Sequence, residues 1–522
     1  VTAQEESFVP PLAGIGSRSL QDPDGVALVD DSQSLTWSQV ARQVQAVAGQ
    51  MLAVAVHAQD RVAVIGENLV GTLVTHAAGL LAGVGTVAVS RQLTAREMAE
   101  QFADAGVVAA VTGPGGAAAT LEAAAQAGLR AVVVHGTTDV PAGATAWDSW
   151  IASERSLPAE LDRPARPILV YTSGTTGKAR GTEVRWTPTT VATAVEYVAT
   201  LAARSGFPDG PHLVVGPLQH NGPLTSVRHL LSGQPVVVLG RFDAERVLQL
   251  VQQHRVTSSV MVPTHFSRLL ALPEQVRSAY DLSSLVSVAH TGSACPPDVK
   301  RAMIAWFGPV LVESYGGSEI GTVCRITSTE WLAHPGSVGR AVAPFEAVVV
   351  DELGHELPPG RVGILGFRTP PGREISYHGD PEKTRSAYIA PGVATLGDVG
   401  YVTEDGYLFI TDRMSDMVVS GGVNLYPAES EMVLLEHPSV AEAAVIGVPD
   451  PDLGEALRAL VVPADADLDV TALSAFCRAR LASYKCPKSY ELVESLPRNA
   501  MGKLDKRSLR RPYWEGDRTI SG

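Results

Sequence analysis

The chain has 522 residues, 45% hydrophobic and 18% charged, which is too apolar for disorder and long enough for roughly two to four folding units. A net charge of −14, from 41 basic and 55 acidic residues, argues against nonspecific nucleic-acid binding but leaves room for a locally cationic anion site. Four scattered cysteines (Cys295, Cys324, Cys477, Cys486) form no CxxC pair and read as reduced thiols; with no signal-like N-terminus they predict a soluble cytoplasmic protein.

Apolar runs at 61–66, 86–89, 107–111 and 131–134 predict strands. Helices are predicted over 69–82 and 94–105, the second opened by a capping box of Thr94 and Glu97. This alternation implies parallel sheets with helices on both faces. The apolar stretch 71–89 contains Thr72, Thr75 and His76, so it reads as a helix and a buried strand rather than a membrane span. Gly113-Pro114-Gly115-Gly116 reads as a turn and a poor dinucleotide fingerprint.

The apolar Ile168-Leu169-Val170 feeds a loop of unusual chemistry: Tyr171, Thr172, Ser173, Gly174, Thr175, Thr176, Gly177, Lys178, Ala179, Arg180, Gly181. Glycines allow close backbone approach, N–H and hydroxyl groups donate, and Lys178 and Arg180 neutralise charge, so polyphosphate is the first hypothesis. The glycine spacing and Ala179 after Lys178 disfavour a Walker loop. A second alternating round follows, with helices at 191–203, 225–231 and 244–254 and strands at 212–215, 235–239 and 259–262.

Glu313-Ser314-Tyr315-Gly316-Gly317-Ser318-Glu319 is a second constellation. Tyr315 offers a face for a base, the glycines leave room, Ser318 can donate to a phosphate, and Glu319 can hold Mg²⁺ through hard oxygen. Taken alone, it reads equally well as an ordinary turn. Past Gly339, short strands at 347–350, 363–367 and 407–410 predict a small antiparallel barrel or sheet. Asp398 between glycines, with Arg413 soon after, suits a ribose diol. A final unit starts at Ser415, with helices at 429–436 and 473–481. It ends in a basic stretch whose Lys503, on a loop with Asn499 and Gly502, could deliver one ammonium to a cleft.

In this order the motifs resemble the adenylate-forming superfamily, which includes acyl-CoA synthetases, firefly-type luciferases and adenylation domains of peptide synthetases. The stretches 217–222, 334–340, 420–427 and 484–488 match as well, and the resemblance covers about residues 20 to 511. It implies an α/β chain with a large N-terminal AMP-binding domain (1–414) of parallel sheets plus a small β-barrel. A small mobile α+β C-terminal domain (415–522) would follow, hinged at Ser415.

The implied reaction is attack of a carboxylate on ATP, loss of pyrophosphate, and transfer of the acyl group from acyl-adenylate to coenzyme A. By resemblance, Thr172 to Lys178 hold the β- and γ-phosphates, Ser318 the α-phosphate and Glu319 the Mg²⁺. Tyr315, with Gly292, Ser293 and Ala294, would sandwich adenine; Glu313 and Gly316 belong to the same ATP site. Asp398 and Arg413 would bind ribose, and Lys503 would bridge carboxylate and α-phosphate. Gly421 and Gly422 would line the pantetheine tunnel, and Tyr484 and Lys488 would meet the coenzyme A nucleotide.

The acyl pocket would lie behind His220 (a gate rather than a base), Asn221 and Gly222, the 262–265 segment, and Gly292 to Gly317. Its small, uncharged lining, including Gly317, favours a bulky apolar acid: polycyclic, terpenoid, steroid-like or fatty. The middle of the chain looks like bacterial fatty-acid and bile-acid CoA ligases. The chain departs from the family pattern at the hinge (Ser415 for Asp or Lys) and in the phosphate loop (Ala179-Arg180 for Pro-Lys). It also has Asp412 for Gly, Leu396 for Thr and Ser318 for Thr. The hinge departure keeps open an adenylation-only enzyme that hands acyl-AMP to a partner enzyme or carrier protein. Monomer and homodimer both remain open.

Overall fold

The computed structural model describes residues 12–514 except 153, 154, 156, 158–160, 174–178, 185, 187–190, 204, 352, 415, 421, 422, 452, 466, 467 and 499–503. The side chains of 172, 173, 179, 180, 423 and 424 also lie outside the description. The chain divides into two compact units. The first comprises Val1–Pro335 and Thr369–Ser386, the second Gly336–Arg368 and Ala387–Gly522.

In the first unit, strands Arg61–Ile65, Gly85–Val89, Val107–Thr112 and Ala131–Val134 form one parallel sheet, as the apolar runs predict. Helix Ala95–Ala105 begins with the expected capping box, in which Glu97 N–H donates to Thr94 Oγ1 and Thr94 N–H to Glu97 Oε2. Every residue of helix Val70–Ala82 is buried, which explains its all-round apolarity without a bilayer. Among the described residues no helix is long and apolar enough to cross a membrane. All four cysteines are free. Strand β1 (Leu169–Ser173) joins this sheet parallel to Gly85–Val89, and β2 (Ala179–Glu183) returns antiparallel beside it.

A second sheet in this unit carries the parallel strands β3 (His212–Val214), β4 (Ser258–Met261), β5 (Ser287–His290) and β6 (Leu311–Gly317) in adjacent positions. Strand β7 (Gly321–Thr327) pairs antiparallel with β6. Helix α1 (Asn221–Leu231) begins at residue 221 instead of 225, so Asn221 and Gly222 sit in its first turn. Pro223 is no obstacle there, because the first-turn N–H groups have no helical acceptor in any case.

The second unit holds an antiparallel sheet of Glu346–Val350, Gly363–Arg368, Tyr388–Ala390, β8 (Val393–Val402) and β9 (Leu408–Arg413). After it come α2 (Pro427–Leu435), the long hairpin Val440–Asp450 with Gly454–Pro463, helix Val470–Arg478 and the short α3 (Lys506–Arg510). Leu434, Val445, Val461 and Leu473 pack in one core there.

Candidate active site

Ligands of parallel α/β sheets collect where strands end at their carboxyl edge. In the first unit that edge brings several sequence candidates together. The chain leaving β3 runs to His220, the N-cap of α1, and then Asn221, whose Oδ1 accepts from Trp186 Nε1 at 3.2 Å. A Cβ added at Gly222 would stand 3.3 Å from Val260 of β4 and 3.8 Å from Thr291 beyond β5. Gly292, with φ of +90°, then opens the exposed segment that continues through Ser293 and Ala294.

Tyr315, half-buried, and Gly316 close β6 with a bulge in their register against β7. A Cβ on Gly316 would stand 1.9 Å from the carbonyl oxygen of Gly321, so its bareness serves the β6–β7 backbone rather than pocket space. Gly317 is the last residue of β6, and Ser318 and Glu319 sit in the turn that follows.

Glu319 accepts a 2.9 Å hydrogen bond from the hydroxyl of Tyr377. Tyr377 pairs in turn with Thr182 of β2, and the next residue, His378, donates its N–H to Gly181 carbonyl at 2.8 Å. Burial and the adjacent Glu319 carboxylate raise the Tyr377 phenol above its usual range, which keeps it a neutral donor. The Glu319 turn is thus tied to β2. Loop residues Gly174, Thr175, Thr176, Gly177 and Lys178 lie outside the described residues, as do the side chains of Thr172 and Ser173. Upstream of the loop, Tyr171 hydroxyl anchors β1 by donating to Asp104 Oδ2 at 2.5 Å.

Glu313 lies on β6, two residues before Tyr315. It is buried, and its carboxylate accepts from Lys300 Nζ at 2.5 Å, with His290 Nε2 3.8 Å away. Burial raises the Glu313 carboxyl and lowers the Lys300 ammonium, each opposed by the other's charge. The Lys300 ammonium also lies 4.7 Å from the centre of the Trp331 ring.

In the second unit, β8 and β9 set Asp398 directly opposite Arg413, with Nε 3.3 Å from Oδ1. The aspartate is buried and the arginine exposed, a carboxylate aimed from inside at a surface cation. Asp412 accepts from its neighbour Arg413 N–H at 2.7 Å and from Ala428 N–H in α2 at 2.9 Å. Burial raises its carboxyl to about 6. Lys506 bonds Glu431 at 2.8 Å and lies 4.0 Å from Asp416, which Arg510 meets at 3.1 Å. These acids raise the ammonium of Lys506 against its burial. Tyr484 and Lys488 are exposed, while Lys485 between them pairs with Glu429 at 2.5 Å. Lys503, Ser415, Gly421 and Gly422 lie outside the described residues.

A family model described as AMP-binding enzyme matches residues 17–372, and one for the AMP-binding enzyme C-terminal domain matches 429–503. The chain belongs to the AMP-binding enzymes. Among relatives of this AMP-binding enzyme, a feruloyl-CoA synthase of Amycolatopsis sp is 34% identical, covering 96% of this chain and 99% of that one. A Mycobacterium tuberculosis ligase named for 3-[(3aS,4S,7aS)-7a-methyl-1,5-dioxo-octahydro-1H-inden-4-yl]propanoyl:CoA is 33% identical, covering 94% and 96%. A solved o-succinylbenzoate CoA synthetase from Bacillus subtilis, in complex with its acyl-adenylate intermediate, aligns with a TM-score of 0.78. That structure is 26% identical and covers 95% of this chain and 97% of its own. The fold is that of the adenylate-forming enzymes, and the AMP-forming acid–CoA ligase expected from the motifs agrees with these names, which do not favour adenylation alone.

Sequence reasoning did not find Tyr377, Lys300 or Lys506. Tyr377 is 58 residues from Glu319 and its neighbours carry no motif chemistry. Lys300 follows Cys295 in an ordinary helical stretch, and Lys506 reads as part of a solvated basic tail.

Proposed function

We propose that this AMP-binding enzyme activates a bulky apolar carboxylic acid with ATP and passes the acyl group to coenzyme A. The reading rests chiefly on the tie between Glu319 and the strand leaving the phosphate loop. Through it, a cation-holding carboxylate and a cationic glycine–hydroxyl loop serve one triphosphate. The donor set suits Mg²⁺, which prefers hard oxygens and is commonly held by one or two carboxylates plus substrate phosphates. Mg²⁺, when bound, supplies positive charge to the phosphates.

The first half-reaction brings two anions together, so charge neutralisation is the main catalytic task. An oxygen of the substrate carboxylate attacks the α-phosphorus and pyrophosphate leaves. Lys178 and the N–H groups of the loop hold the departing phosphates, Ser318 donates to the α-phosphate, and Lys503 offsets charge on carboxylate and α-phosphate. Tyr315 stacks on adenine, and Asp398 accepts from the ribose hydroxyls with Arg413 beside it. In the second half-reaction the thiol sulfur of coenzyme A attacks the acyl carbon, its proton is lost to solvent, and AMP leaves. Residues 415–522 act as a mobile lobe, with Gly421 and Gly422 along the path of the thiol arm. Tyr484 and Lys488 meet the nucleotide end of coenzyme A.

For the acid, the support is Gly222 between Val260 and Thr291, and relatives named for ring-bearing acids. The test is pyrophosphate release across a panel of carboxylic acids, with and without coenzyme A. Ring-bearing or long apolar acids should lead, and activation of acetate or amino acids alone would defeat the substrate assignment. Lys503→Ala should lower acid-dependent pyrophosphate exchange by 10²-fold or more, roughly 3 kcal/mol. Near-normal exchange would remove Lys503 from the mechanism.

A further inference from the structure

Tyr377 is anchored by hydrogen bonds on two sides. Its N–H donates to Thr384 Oγ1 at 3.0 Å, and Thr384 Oγ1 donates to Asp380 carbonyl at 2.9 Å. Asp380 also holds Lys383 N–H at 2.9 Å, which closes the first turn of helix Pro381–Ser386. On its other side Tyr377 bridges Thr182, and Thr182 Oγ1 reaches Ser376 carbonyl at 3.4 Å. Glu319, by contrast, sits in a short turn between two strands. A glutamate on such a turn has three side-chain torsions to restrain before its carboxylate can serve a ligand.

We infer that Tyr377 is a positioning residue for Glu319: its hydroxyl holds one carboxylate oxygen so that the other faces the cation that accompanies the triphosphate. The inference rests on the role given above to Glu319. A phenol suits this work because it has one donor on a rigid ring and no charge to compete for the cation. The hydroxyl binds the acid from the β2 side, the strand leading out of the phosphate loop. Holding the carboxylate in advance removes its orientational freedom before the triphosphate arrives, which is the ordinary gain of preorganisation. A tyrosine that only satisfied its own half-buried hydroxyl would leave cation binding untouched.

The experiment compares Tyr377→Phe, Glu319→Gln and the double variant in the full chain. Calorimetric titration with ATP, in excess Mg²⁺ and again in EDTA, isolates the part of the affinity that the metal supplies. Tyr377→Phe should lose about fivefold of that Mg²⁺-dependent part and keep metal-free ATP affinity within about twofold. Acid-dependent pyrophosphate exchange should fall about tenfold, while thioester formation from supplied acyl-adenylate stays at the parent rate. In the Glu319→Gln background the tyrosine change should add nothing further. Thr384→Val, which loosens one of these anchors and leaves the hydroxyl, should show a weaker form of the same pattern. An unchanged Mg²⁺ increment in Tyr377→Phe, or a full additional loss in the double variant, overturns the inference. If Glu319→Gln itself keeps the full Mg²⁺ increment, the assignment of Glu319 fails instead, and the two failures are told apart.

Discussion

The two units bury their titratable groups by different means. Around the sheets of the first, His76, His135, His265 and His290 are buried and held neutral, with pKa values lowered to between about 3 and about 4 by desolvation. The Lys300–Glu313 pair is the contrast within that unit. The second unit instead gathers Asp412, Asp416, Glu431, Lys506 and Arg510 into one mostly buried set of both signs. Neutral imidazoles need no partner of opposite charge, whereas a buried charge persists only if it is paired. Acid should therefore weaken the first unit more than the second.

Acid is the strongest way to break this comparison. An unfolded histidine takes a proton as pH falls past about 6.5, but these folded ones do so only near 3 or 4, so their stabilising effect is full above 6.5 and lost below it. At pH 5 each costs about 2 kcal/mol. Asp412 has the reverse sign: its folded pKa of about 6 exceeds the unfolded value of about 3.9, so acidification from pH 7 to 5 returns about 1 kcal/mol to the second unit. Calorimetry at the two pH values should find the first unit's transition falling much further than the second's. Equal shifts would mean that the imidazoles are not held neutral.

Next in size is Lys506→Met, which strips the cation from Glu431 and leaves Asp416 paired with Arg510. Breaking a buried pair from one side should lower stability by about 3–5 kcal/mol, read by urea denaturation. Added salt should restore little of it, because buried charges are poorly screened. Smallest is Asp398→Asn, which keeps the shape facing Arg413 and removes the charge. It should raise KM for ATP about tenfold, about 1.4 kcal/mol, with kcat little altered. A fall in kcat alone would move Asp398 from ribose binding to the chemical step.

Much of the first unit was legible because its signals are local. Apolar runs of four to six residues between caps and glycines read directly as buried strands, and the Thr94–Glu97 box marked its helix to within a residue. The start of α1 was not legible, because Gly222-Pro223 looks like a breaker until one sees that it occupies the first turn. At the site, the order of motifs carried the family, while the contacts between motifs did not show. Glu319 to Tyr377 and Lys506 to Glu431 join segments far apart in the chain. Glycine was the most misleading letter: Gly292 has a positive φ and Gly316 meets backbone, so neither reports an empty pocket.

That distinction between glycines bears on how the enzyme could be retuned. At Gly222 a methyl group would stand 3.3 Å from a valine side chain, so a shift of a few tenths of an ångström would admit it. At Gly316 the same methyl would collide with a carbonyl oxygen that has nowhere to go. On the acid site proposed above, a library aimed at altered scope belongs on residue 222 rather than on residue 316.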